Sequence, residues 1–410
     1  MMRAETQEDP MPDTPLPPAA AAPTSPEKLI SAVFLALETE GMAAISARPL
    51  AAAAGLPVSS IYYHFGDLEQ LLENAQQAAR LAANRWCEEQ LSAIGTGAPA
   101  VGPLLAALAD DWCEMQRPLA FARREAQIAA LRDPRHIAGS AKWDALWHLF
   151  WDELAARLGL ADMATALAWL FDGVTGMHLL RWRRPVDRAA LAELCDGWAG
   201  WLDGRIGTMA PWFERARADA DDLLPPPPRD DAVADAVAAA AARTIAARGV
   251  AGLTHRAVAA EAGVTLGVVS YKFRTSAELL QGAFEAIYRR MTQESGLDAP
   301  LPSRAEALAA LGGLLPQRAH MLATEELFMA CARNPALQPF AARLRYLRGR
   351  TSGRMLQGML GANRPASVID GAIISAFASG RNRALICSGR VPGPDSDYAP
   401  VLARLDAGAS

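Results

Sequence analysis

Residues Gly41 to Leu72 read GMAAISARPLAAAAGLPVSSIYYHFGDLEQLL, and Gly249 to Leu280 read GVAGLTHRAVAAEAGVTLGVVSYKFRTSAELL. The stretches align without a gap at an offset of 208 residues in a chain of 410. They share 11 of 32 residues, and most other apolar positions exchange Ile, Leu and Val. Self-similarity at one fixed spacing marks a duplicated folding unit. Ahead of the first copy, Ser25 as N-cap and Pro26 at the first helical position open an amphipathic helix. Its apolar stripe is Leu29, Ile30, Val33, Phe34 and Leu37, and Gly41 ends it. Within each copy a short helix begins after Ser46 or Thr254, turns Leu50 or Val258 inward and stops at Gly55 or Gly263, where glycine accepts a positive φ. A third helix spans Val58 to His64 or Leu266 to Lys272. It ends at Phe65 or Phe273, core residues expected to lock it to the first. Asp67 with Gln70, and Thr275 with Glu278, have capping-box spacing and open a long fourth helix, expected from about Leu68 to Ile94 and from Ser276 to Thr292; further on, a single helix is expected from about Leu337 to Leu360. Helix, glycine turn, helix is the helix-turn-helix arrangement.

The run R-x-L-A-x-x-A-G-L at Arg48 to Leu56, followed by S-S-I-Y-Y-H-F at Ser59 to Phe65, resembles the DNA-binding domain of TetR family regulators. The second copy keeps Arg256, Val258, Ala259, Ala262, Gly263, Val264, Val269, Tyr271 and Phe273. It departs at Ser270 and Lys272, where the family usually has Tyr and His, and both copies replace the family's phosphate-contacting lysine by Leu68 or Ser276. The resemblance implies an all-α fold of two tandem units, each a helix-turn-helix domain followed by a helical effector-binding and dimerisation domain. The expected boundaries are a disordered tail at 1–24, reading heads at 25–72 and 232–280, effector domains at 73–206 and 281–410, and a Pro-rich linker at 207–231 around Pro225 to Pro228. In the family the last two long helices of each subunit build the dimer. Here Met163 to Arg183 with Ala189 to Asp203, and Ser367 to Ser388 with Asp397 to Leu405, offer that four-helix bundle within one chain, a covalent pseudo-dimer. A homodimer of two chains is the alternative.

Composition supports the same class. Hydrophobic residues make up 51% of the chain, enough for large cores, and Ala- and Leu-rich segments of helical period dominate while alternating β-branched runs are missing. Five scattered cysteines, Cys87, Cys113, Cys195, Cys331 and Cys387, form no C-x-x-C pair, and the six histidines form no H-x-x-x-H pair. With no nucleophile elbow either, the chain is expected not to be an enzyme and to need no metal or cofactor. The absence of a signal-like start and of a long apolar span leads to the expectation of a cytoplasmic protein without membrane contact.

Net charge is −5, so phosphate neutralisation must come from local patches. The first copy has Lys28, Arg48 and Arg80 against six acidic residues between Glu27 and Arg80, whereas the second has seven basic residues against six. For double-stranded DNA, the candidate base readers are Val58, Ser59, Ser60, Tyr62, Tyr63 and His64 in one head and Leu266, Gly267, Val268, Ser270, Tyr271 and Lys272 in the other. Arg48 and Arg256 match the family's second-helix arginine, which contacts phosphate. No Arg or Asn stands at a reading position for bidentate recognition, so shape readout is expected to contribute.

Nine of the ten tryptophans lie in the first half and the tenth, Trp212, in the expected linker, and Trp143, Trp147 and Trp151 recur every four residues on one helical face. Such a stripe is more often core. As a pocket, Trp112, Met115, Trp143, Trp147, Trp151 and Trp169 would suit a small hydrophobic or aromatic effector, with Asp172 and His178 for a polar group. For these two, hydrogen bonding in an interface or core is the competing role. The sequence therefore reads as a ligand-responsive repressor on an asymmetric operator. The alternative is a ligand sensor or protein-interaction module in which one head has lost DNA.

Overall fold

The computed structural model describes residues 22–97, 100–223, 231–293, 300–313, 318–390 and 397–408. The expected tail at 1–24, apart from its last three residues, and the Pro225 to Pro228 segment lie outside them. Among the described residues there is no strand.

The first half runs α1 (Ser25–Thr39), α2 (Ala47–Ala53), α3 (Ser59–Phe65), α4 (Leu68–Ile94), α5 (Val101–Glu114), α6 (Arg117–Arg132), α7 (Ile137–Arg157), α8 (Ala164–His178) and α9 (Arg184–Leu202). Next comes α10 (Pro211–Asp221). The second half repeats the order as α11 (Ala232–Arg248), α12 (His255–Ala262), α13 (Leu266–Lys272), α14 (Ser276–Gln293), α15 (Arg304–Gly313) and α16 (Arg318–Arg333). It ends with α17 (Gln338–Tyr346), α18 (Arg350–Leu360), α19 (Val368–Ser388) and α20 (Ala399–Ala407). No helix among the described residues is long and apolar enough to cross a membrane.

Local chemistry sets the boundaries. The Asp67 side chain accepts from Gln70 N–H at 2.7 Å and fixes the start of α4, while Glu27 accepts from the Thr24 N–H at 2.7 Å. The first cap is thus Thr24, one residue before the expected Ser25. Two expectations change more. The linker expected at 207–231 contains α10, whose Phe213, Ala216 and Ala220 are buried, so much of this stretch is packed structure. The single helix expected from Leu337 to Leu360 is two, broken at Gly349 with φ +95°, where a Cβ would lie 2.4 Å from the Gly371 carbonyl oxygen. Only glycine admits both that backbone and that approach.

Among the described residues the most extensive helix contact joins α8 of the first half to α19 of the second. Its closest points are two glycines. A Cβ on Gly173 would stand 1.9 Å from the Ala376 carbonyl oxygen, and one on Gly380 would stand 1.8 Å from that of Trp169. Gly173 and Gly380 are 207 residues apart, as are Trp169 and Ala376, so the contact is isologous, each helix giving the other the same surface. Trp198 of α9 stacks on Phe377 of α19 at 5.9 Å, and the larger of two apolar cores runs through residues of both halves, while the second seats the second head on α16 and α17.

Candidate nucleic-acid interface

Each reading head is built on the same buried positions. Leu29, Val33, Leu37, Leu50, Ala51, Ile61, Leu71 and Ala75 form the first; Val237, Ala241, Ile245, Val258, Ala259, Val269, Leu279 and Ala283, each 208 residues later, form the second. The turn between the second and third helices is made by Gly55 and Gly263, both at φ +67°. That left-handed glycine lets the third helix leave at a steep angle to the second, with one apolar residue, Ile61 or Val269, pointing inward. Phe65 and Phe273 are only partly buried; Phe273 lies over Gly282 of α14, which has no side chain to obstruct it.

What remains of α3 and α13 faces outward. Tyr62, Tyr63 and Tyr271 are 56, 85 and 76% exposed, and Ser59, His64, Leu266, Gly267 and Ser270 are exposed as well. Val58, Ser60 and Val268 are half-buried. A tyrosine so exposed is a costly use of apolar surface unless something covers it. Arg48 on α2 and Arg256 on α12 occupy the same register, are exposed, and make no ion pair among the described residues. They are therefore available as cations. Lys272 differs: its Nζ lies 2.6 Å from Asp231, which also accepts from Ala234 N–H at the start of α11. Its charge is spent inside the head, so the second recognition helix is less basic than its sequence suggests. Arg274, exposed at the turn into α14, is a further cation that motif matching alone passes over.

The residues expected for an effector site divide into several environments. Trp112, Trp147 and Trp151 are buried in a ring cluster with Trp86, Phe150 and Phe171, with centroid spacings such as 4.9 Å for Trp112 and Trp147. Arg123 covers the Trp147 ring at 4.7 Å. Trp143 donates from Nε1 to Gln76 Oε1 at 3.0 Å, tying α7 to α4. Trp169 packs instead across the halves on Phe377 at 5.8 Å, and Met115 is 73% exposed.

Asp172 is buried among arginines from both halves. Arg123 reaches it at 2.9 Å, Arg124 at 3.1 Å and Arg383 at 2.7 Å, and Arg383 also pairs with Glu325 at 2.6 Å. Burial alone would raise its pKa, but the three guanidiniums hold the carboxyl well below the usual range. His178 faces Asp110 at 2.9 Å through Nε2 and accepts at Nδ1 from Arg345 at 2.6 Å. A guanidinium can only donate, so Nδ1 is unprotonated and Nε2 carries the proton given to Asp110. Burial and the Arg345 charge push the His178 pKa down to about 4. Both residues are thus engaged in joining the halves.

Residues 30–75 and 237–283 each match the pattern of the family described as bacterial regulatory proteins, tetR family. No curated protein matches the chain.

Proposed function

From the premise that the chain is a DNA-binding transcriptional regulator of two tandem TetR-like units, we propose that one polypeptide acts as a pseudo-dimer, a ligand-responsive repressor on an asymmetric operator. The observation that carries this reading is the isologous seat of Gly173 on Ala376 and of Gly380 on Trp169. A two-fold contact of this kind is what two separate subunits use to set recognition helices in successive major grooves, about 34 to 36 Å apart. Fusion keeps that geometry and frees the heads to diverge. Tyr62, Tyr63 and His64 then face one half-site, and Ser270 and Tyr271 the other, while Arg48 and Arg256 neutralise phosphate. With Lys272 engaged by Asp231, discrimination rests on tyrosine, serine and apolar contacts and on duplex shape.

The effector in this proposal is a small hydrophobic or aromatic molecule entering beside the aromatic cluster of the first half. The second half has no tryptophan after Trp212, so one effector per chain is expected. An effector preferring the conformation with misplaced heads needs about 5.5 kcal/mol of preference to turn a 1:99 balance into 99:1. Footprinting on the DNA flanking its gene tests the proposal. One protected site with two unlike halves is expected, and protection that survives Tyr62→Ala with His64→Ala on every base would sink the two-headed reading in favour of a single active head.

A further inference from the structure

A second set of charges repeats along the chain at its own spacing. α6 and α16 align at an offset of 201, matching Glu125 with Glu326, Ala129 with Ala330, Arg132 with Arg333 and Pro134 with Pro335. The Glu125 carboxylate accepts from the backbone N–H of Met42, just beyond α1, at 3.0 Å, and its other oxygen pairs with Arg333 of the opposite half. Glu326 repeats both contacts, accepting from Val250 N–H at 3.4 Å and pairing with Arg132. Met42 and Val250 are themselves 208 apart. Each carboxylate therefore ties the head of its own half to an arginine of the other, and the two straps cross.

The head corners are shaped for these arginines. At Gly41, φ +87°, a Cβ would lie 2.9 Å from the Arg333 guanidinium, and Arg333 also donates to the Leu37 carbonyl at the end of α1 at 2.9 and 3.1 Å. At Gly249, φ +72°, a Cβ would lie 3.4 Å from Arg132 and equally close to Ala43 of the first head. The ion pairs are mostly shielded from water, with side-chain exposures of 10 and 6% for Arg333 and Glu125, and 27 and 10% for Arg132 and Glu326. Beside them a cavity of about 150 Å³, bounded by Met42, Ala43, Val250, Glu125, Glu326 and Arg333, leaves room for the corners to shift.

We infer that Glu125, Arg333, Glu326 and Arg132 are positioning residues that set the distance between the two recognition helices. They touch the heads at the corner after the first helix, behind the reading face, so they act on where a head stands rather than on what it reads. Removing the arginines leaves two shielded carboxylates facing each other across the axis, with only backbone N–H groups to hold them. The heads then lose their common register. The consequence for operator choice rests on the regulator reading above; the spacing itself does not.

The test is a distance measured in the full chain. Nitroxides on Ser59→Cys and Ser270→Cys label the exposed recognition helices selectively, because the five native cysteines are buried and burial raises the Cys87, Cys113 and Cys387 thiols to about 12. Pulsed electron resonance should give one narrow distance for the parent, and a displaced, broader distribution for Arg132→Gln with Arg333→Gln. Should that pair fail to fold, Glu125→Gln with Glu326→Gln keeps an acceptor for the head N–H groups and removes only the charge across the axis, and the same displacement is expected. An unchanged distribution in a folded variant overturns the inference. A second measurement selects random duplexes: the parent should favour one half-site spacing, and the variant should lose about tenfold of that preference, or about 1.4 kcal/mol. A parent that selects no duplex would refute the DNA-binding reading while leaving the distance result to decide on the straps.

Discussion

At the scale of single residues, the contact between the halves turns on hydrogen atoms in place of side chains. Gly173→Ala or Gly380→Ala should raise helix propensity by about 1 kcal/mol, which favours the fold. The added methyl, however, meets a carbonyl oxygen at 1.9 or 1.8 Å, a backbone group in a helix that has no room to retreat. Overpacking of that kind costs about 3 kcal/mol, so the net effect is destabilising, and the urea midpoint of either variant should fall. A rise in the midpoint would mean that α8 and α19 do not touch there. Two titratable residues of this region pull against each other. Burial pushes the Asp144 pKa up to about 6, from 3.8, so the fold takes up its proton before the unfolded chain does and gains stability as pH falls. His178, pushed down to about 4 from 6.5, has the opposite sign: the unfolded chain protonates first and stability falls over the same window. Asp144→Asn should therefore be more stable than the parent at pH 7 by about 1–2 kcal/mol, with the advantage gone by about pH 4. Urea midpoints at pH 7, 5.5 and 4 check this; an advantage that grows with acid would reverse the assignment.

Elements show what the sequence could and could not announce. The fourth helix was legible to the residue, Leu68–Ile94, because an Asp cap at one end and Gly95 at the other are both local signals. The break between α17 and α18 was not, since Gly349 is forced into its conformation by Gly371, a neighbour only in space. α10 carried a fair local signal, Pro211 at its start and Phe213, Ala216 and Ala220 on one face, but the Pro-rich composition around it concealed a helix inside an expected linker. At the candidate interface, Arg48 and Arg256, which share a motif register, are exposed on equivalent helices, whereas Lys272 needed the position of Asp231 to reveal that its charge is taken. The crossed straps escaped because their repeat has drifted from 208 to 201 residues and their partners lie in opposite halves. This difference between the cations is testable. Arg256→Ala should lower the salt slope of DNA binding by about one phosphate contact, roughly 0.9 in log–log units, while Lys272→Ala should leave the slope nearly unchanged and act through stability. Equal slopes for the parent and Arg256→Ala would remove this arginine from the phosphate set.

At the scale of the whole molecule, the question is whether the chain needs a second copy. On the pseudo-dimer reading the surface an ordinary subunit would offer a partner is filled from within the chain, where α8 is covered by α19, Trp198 by Phe377, and α10 lies against α17 of the other half. The Trp201 indole donates to Asp370 at 2.7 Å, so even the start of α19 is bonded to the first half. The larger of the two cores runs through both halves, and the second, around the second head, leans on α16 and α17, which also contribute Met329 and Tyr346 to the first, so neither half has a boundary at which it could melt without opening the other. Unfolding should consequently be a single transition, and its temperature should not change with protein concentration, because dissociation is not part of it. For a homodimer of chains, mass action would raise the melting temperature with concentration as the folded dimer is favoured over free chains. Calorimetry over a hundredfold range of concentration, with sedimentation at the mass of one chain, 43.6 kDa, distinguishes the two. A concentration-dependent melting temperature at twice that mass would place the functional symmetry between chains, and the contact of Gly173 with Ala376 would then be the interior of a subunit rather than the seam of a fused pair.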